Sequence, residues 1–181
     1  NKYFNLNLNN QKKKLLAYSS LREIFLNLKI DKQNEFLKIK TKKKQRKNYS
    51  DLCLNKEELK ILDKHKLITI GSHSHNHLNF NILNTEEIKF EVNKSLKILE
   101  NLLDHKIEHF CYPYGGQKQA SDREYKIIEE LNFSSAVTGR VYPIKKCDLF
   151  SLPRIYIGKN VCDKAIMNHT SGFYNLVSKF I

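Results

Sequence analysis

The feature that most limits how this chain can fold is an alternation. Short apolar runs with β-type patterning take turns with stretches whose apolar residues recur at helical spacing. Residues 67–71 (LITIG), 107–112 (IEHFCY), 134–138 (SSAVT) and 149–157 (LFSLPRIYI) read as strands. The full order predicted is α-α-α-β-α-β-α-β-β-α, and strands alternating with helices predict a parallel sheet or barrel. At 181 residues the chain is about one domain long.

The helices are placed by their caps and stripes. Residues 1–10 are polar and expected to fray. Leu21, Ile24, Phe25 and Leu28 fall at i, i+3, i+4 and i+7, one face of a helix. Residues 31–48 continue as a Lys-rich helical stretch ending in KKKQRK. Asn55 caps a helix with Lys56, Glu57 and Glu58 in its first turn and Leu59 and Leu62 on one side. Thr85, Glu86 and Glu87 open the longest helix, with the stripe Ile88, Val92, Leu96, Leu99 and Leu103. Ser121 is the expected cap of a helix that packs Tyr125, Ile128 and Leu131. A last helical stretch covers 161–180, interrupted near Ser171-Gly172. Two domains are expected: a helical, Lys- and Asn-rich segment at 1–48 and an α/β domain at 49–181.

Charge narrows the function classes. The formal net charge is +13, but of the 32 basic residues five are Arg and the other 27 Lys. Readers of phosphate and bases lean on the planar Arg fork, so a Lys surplus speaks to solubility and association more than to a nucleic-acid site. The KKKQRK run fits a nucleic-acid or membrane contact, and fits a solvated helix face better. Cys53, Cys111, Cys147 and Cys162 form no close ligand pair and read as isolated thiols, which favours a reducing, cytoplasmic compartment. No apolar run approaches the length of a membrane-spanning helix. The chain begins at Asn1, so an export signal, in a longer reading frame, would lie upstream of it.

Two clusters carry chemistry, and both sit where a strand ends, the place where α/β barrels carry their active sites. The first is Gly71-Ser72-His73-Ser74-His75-Asn76-His77, with three of the seven histidines. His is the usual nitrogen ligand of zinc and its neighbours, so metal binding is favoured over a polar loop that happens to be His-rich. His73 and His77 converge if the segment coils into a turn; His73, His75 and His77 share one face if it stays extended. The second is HFCYPYGG (109–116), where Pro fixes the backbone and two Gly allow close approach to a ligand. Such a loop can aim an amide N–H at an oxyanion and offer Tyr rings to a sugar, or be an ordinary tight turn over core aromatics.

Together and in this order, the two clusters resemble the NodB-type polysaccharide deacetylase family over roughly residues 50–172. IGSHSHNH matches that family's His-Ser/Thr-x-x-His metal motif, and HFCYPYGG its Pro-Tyr-Gly motif. FSSAVTGR and SLPRI look like later barrel strands of the branch whose motif reads Phe-Ala-Tyr-Pro-Tyr-Gly. The resemblance implies a distorted (β/α) barrel and hydrolysis of N- or O-acetyl groups on a polysaccharide or oligosaccharide. By the same match His73 and His77 hold a divalent metal, zinc first among candidates, and Ser74 steadies the loop between them. The backbone N–H of Tyr114 holds the acetyl oxygen, and Tyr112, Pro113, Gly115 and Arg154 are expected around the substrate. His75 sits at a variable motif position and receives no role.

The chain departs from the family at one decisive place. The family's Thr-Phe-Asp-Asp motif supplies the general base and a third metal ligand, and no Asp-Asp pair occurs anywhere in this chain. Asp31, Asp51 and Asp63, upstream of His73, lie in no such strand-end context. Cys111 stands where the family has a basic residue, and no catalytic His of the late motif is recognisable. Four strands are too few to close a barrel, so an incomplete barrel is expected, a C-terminal fragment with impaired activity. A non-catalytic carbohydrate-binding relative ranks second, and a basic nucleic-acid module last, since no nucleic-acid-binding motif is present.

Overall fold

The computed structural model describes residues 9–40, 50–142, 148–158 and 162–171. They fall into two compact units divided between Tyr49 and Ser50.

In the first unit, α1 (Gln11–Leu26) starts at Asn10, whose side chain accepts the Lys13 N–H at 2.9 Å. Leu21, Ile24 and Phe25 are half-buried on it, with Ala17 and Leu26 buried. Leu28 lies beyond the helix, because Asn27 ends it with a side-chain bond back to the Glu23 carbonyl at 2.8 Å. The Gln33 amide in α2 (Ile30–Lys40) donates to the carbonyls of Phe25 at 3.1 Å and Leu28 at 2.8 Å. Phe25 meets Phe36 edge-on at 5.1 Å. The KKKQRK run lies outside the described residues.

The second unit begins with a 3-10 turn at Ser50–Leu52, followed by α3 (Lys56–Asp63), which starts at a capping box in which Asn55 and Glu58 satisfy each other's backbone N–H groups. The helix α4 (Thr85–Leu103) opens at Thr85 as the sequence predicts and has the same device, with Asn84 as the cap paired with Glu87. α5 (Asp122–Glu130) begins at Ser121, whose N–H and hydroxyl both donate to the buried Glu124 carboxylate, at 2.8 and 2.9 Å. The last described helix, α6, is Asp163–Thr170; residues 172–181 are outside the described set.

Strand structure is sparser than the apolar runs suggest. β1 (His109–Cys111) pairs in parallel with β2 (Ser135–Val137), Phe110 opposite Ala136. The other two expected strands are reduced to single parallel bridges, Ser72 to Phe110 and Val137 to Leu152. The four segments therefore lie side by side in chain order, all parallel. LITIG forms no ladder of its own: Leu67 is 81% exposed, and pairing starts only at Ser72, which exchanges bonds of 2.8 and 2.9 Å with His109 and Cys111. In 149–157, Pro153 removes a backbone donor in mid-run and the ladder stays short.

Side chains alternate across β1. Phe110 is buried, whereas His109 and Cys111 on the other face are half-buried. Phe110 stacks on Phe80 at 5.9 Å and meets Tyr112 and Phe133 at 5.3 Å each. Ile88 and Val92 of α4 and Ile128 of α5 are fully buried and complete this core. The loops after Ser72, β1, β2 and Leu152 all leave the sheet at the C-terminal ends of its parallel segments, so they share one edge.

Candidate functional site

The His loop is neither a helical turn nor an extended strand. Ser74 (φ 64°) and His77 (φ 54°) both take the left-handed conformation, which non-Gly residues rarely adopt. Ser74 Oγ accepts the His77 N–H at 3.1 Å and closes the turn. The two bends bring the rings of His73 and His77 together, with centroids 4.7 Å apart and planes at 74°. His75, between them, is exposed.

Two residues of α4 hold this loop from below. Ser72 Oγ lies 2.8 Å from Ser95 Oγ in a buried contact. The carboxylate of Glu91, 4% exposed, accepts the Asn76 backbone N–H on one oxygen and the Asn76 amide on the other, each at 2.7 Å. Neither Glu91 nor Ser95 was expected from motif reading. The signal was available: Glu91 and Ser95 fall on the same i, i+3, i+4, i+7 stripe as Ile88 and Val92, so they are polar residues on a buried face.

His73 Nδ1 lies 2.7 Å from the Cys111 carbonyl. A carbonyl only accepts, so Nδ1 carries the hydrogen and Nε2 is left as the lone-pair nitrogen. This is the arrangement by which metal-ligating histidines are oriented. Contact with the Cys111 thiol raises the His73 pKa against the opposing effect of burial, while burial and the neighbouring His73 lower that of His77. Burial alone would push the Cys111 thiol up, but His73 and Arg154 outweigh it and draw it below the ordinary range. The Arg154 guanidinium sits on this thiol, Nη1 to Sγ 3.0 Å, at the position predicted to face the site.

The Pro-Tyr-Gly turn closes the other side. Tyr114 (φ 62°) and Gly115 (φ 62°) are successive left-handed residues. A Cβ at Gly115 would come within 2.4 Å of the Gly139 nitrogen, so only glycine lets the two strand-end loops touch there. The Tyr114 ring, 37% exposed, meets His77 edge-on at 4.6 Å. Tyr112 and Pro113 belong to the core instead of the expected substrate surface. Tyr112 is 1% exposed, its hydroxyl donates to the Phe150 carbonyl at 2.9 Å, and burial pushes its pKa well up. Pro113 is fully buried as well.

The structure thus brings His73, His77, Tyr114, Gly115, Cys111 and Arg154 to one edge. Two imidazoles suit a divalent ion of the zinc class, but a zinc centre is normally held by three or four protein ligands. Among the described residues no group of three or more His, Cys, Asp or Glu is placed to hold a metal. No described helix is long and apolar enough to cross a membrane.

Comparison with known proteins bears on the family and the fold. A family described as polysaccharide deacetylase matches residues 28–134. The Streptococcus pyogenes deacetylase PplD, solved in complex with acetate, superposes with a TM-score of 0.59 at 21% identity, over 65% of this chain and 50% of that one. BC0361, a polysaccharide deacetylase from Bacillus cereus, gives 0.57 at 15% identity over 65% and 37%. The BpsB deacetylase domain from Bordetella bronchiseptica gives 0.50 at 14% identity over 57% and 49%. The chain therefore spans half or less of the length of these structures, and at such identities the likeness shows the fold. No curated protein matches it. By the extent of the family match, the chain belongs to the polysaccharide deacetylase family.

Proposed function

We propose that this chain takes part in metal-dependent hydrolysis of N- or O-acetyl groups on a polysaccharide or oligosaccharide, with impaired activity in the 181 residues as they stand. The observation that supports it is the meeting of the His73 and His77 rings beside the Tyr114 turn, on backbone strained at Ser74, His77 and Tyr114. His73 and His77 would hold the divalent ion, for which zinc fits the nitrogen donors. When bound, such an ion polarises the acetyl carbonyl and acidifies water. The Tyr114 backbone N–H donates to the developing oxyanion. The exposed part of the Tyr114 ring and the Arg154 guanidinium flank the sugar, and buried Tyr112 and Pro113 support the turn from beneath.

The four parallel segments are read as part of an incomplete, distorted (β/α) barrel, with a domain boundary near residue 49. The carboxylate that takes the proton of water and the third metal ligand have no Asp-Asp pair to supply them. Losing a general base slows a reaction by about 100- to 10,000-fold. A non-catalytic carbohydrate-binding relative is the second reading, favoured by the lack of a third ligand among the described residues.

Acetate release from an acetylated chitooligosaccharide, with zinc or cobalt added, tests this. Slow, metal-dependent release abolished by His73→Ala and by His77→Ala is expected. A rate equal to that of a complete deacetylase, or release indifferent to both substitutions, overturns the proposal.

A further inference from the structure

We propose that Glu91 is a positioning residue for the His73–His77 pair, gripping the loop one residue ahead of His77 while Ser95 grips it one residue ahead of His73. The inference rests on the metal role proposed above for the two histidines. The contacts run antiparallel: Ser72 meets Ser95, and Asn76 meets Glu91. On both sides the anchors are four residues apart. On α4 that spacing is fixed by helix geometry, about 6 Å along the axis and slightly more than one full turn around it. The helix thereby sets the distance between the two anchor points of a loop that contains no regular structure of its own.

The burial of the Glu91 carboxyl group is otherwise unexplained. A carboxylate 4% exposed is costly to bury unless donors satisfy it, and among the described residues it forms no ion pair. Both of its described hydrogen bonds come from Asn76, and charge-assisted bonds of this kind are short and directional. They hold Asn76 on its backbone as well as its side chain, which fixes the peptide leading into His77. His77 then sits at φ 54°, a conformation that local sterics alone disfavour. Without the carboxylate, the chain before His77 is free to relax toward ordinary backbone angles, and its ring leaves His73.

The test compares Glu91→Met with Glu91→Gln in the full chain. Met keeps the length and fills the space without accepting hydrogen bonds. Gln keeps both contacts: its carbonyl accepts the Asn76 N–H, and a flipped Asn76 amide accepts from its NH2. Zinc affinity is read by calorimetric titration, and protection of the Asn76 and His77 amides by hydrogen exchange. Glu91→Met should weaken zinc binding about tenfold or more and expose both amides, while Glu91→Gln stays within about threefold of the parent. A folded Glu91→Met with parental affinity and protection overturns the inference. If Glu91→Met does not fold, Asn76→Ala replaces it: weaker binding supports the inference and unchanged binding overturns it. If the parent itself binds no zinc through His73 and His77, the metal role fails, and exchange alone decides. Amides opened in Glu91→Met and closed in Glu91→Gln still support the clamp; no difference between the two refutes it.

Discussion

At the residue scale, the site is a set of small, strained pieces held by buried contacts. Gly115 combines a left-handed backbone with contact against Gly139, so Gly115→Ala should destabilise the domain by about 1–3 kcal/mol from backbone strain, before any cost of parting the two loops. Urea unfolding of the purified variant measures it, and a parental midpoint would contradict the close approach. Tyr112→Phe should cost about 1–2 kcal/mol, because it leaves the Phe150 carbonyl without its donor. It should leave zinc binding unchanged, since the ring is core; a selective loss of binding would return Tyr112 to the ligand surface. That the rings of His73 and His77 meet was one of two alternatives their spacing left open, and the family resemblance singled out that pair; the turn at Tyr114 was legible from Pro and Gly. The burial of Tyr112 was not, because an aromatic next to Pro-Tyr-Gly reads equally as sugar platform or core. Strand alternation decides it, since Tyr112 shares a face with Phe110.

At the element scale, helices were easier to read than strands, and for a physical reason. A capping box is local: Asn55 with Glu58 needs only three residues of separation to satisfy its donors. A strand needs a partner, and pairing begins only at Ser72, just past LITIG, whereas Pro153 interrupts the ladder of 149–157. One connection between helices carries a pH signature. At the end of α4, His105 Nδ1 faces the Lys106 carbonyl at 2.9 Å, and Nε2 faces both oxygens of Asp63 in α3, at 3.0 and 2.9 Å. All three are acceptors, so both ring nitrogens donate and the imidazolium is the form that fits. The Lys106 carbonyl and the Asp63 carboxylate raise its pKa. The stabilisation is therefore fully present below the ordinary His value, about 6.5, and is lost as pH rises through the raised folded value. The stability gap between the parent and His105→Ala should be larger at about pH 5.5 than at about pH 9. Equal gaps in denaturant melts at the two pH values would contradict the pairing.

For the whole molecule, each outer segment of the four makes one described bridge, and apolar side chains in the flanking chain face water. Leu67 is 81% exposed before Ser72, and Tyr156 is 86% exposed after Leu152. Exposed sheet edges of this kind favour association, and a net charge of +13 opposes it. Salt shortens the reach of that repulsion, so the apparent mass from light scattering should rise between low and molar salt. A constant mass would show that the edges are covered. The family, the parallel arrangement and the strand-end position of the histidines were all legible in the alternation and the two motifs. What holds the histidines in place was legible only in part: the helical stripe marks Glu91 and Ser95 as polar residues on a buried face, but not the loop residues they meet. The most direct test is a zinc titration of the full chain beside His73→Ala and His77→Ala. One ion per chain, lost in both variants at unchanged thermal stability, is the predicted result. No binding, or binding that survives either substitution, would contradict a metal centre at this pair.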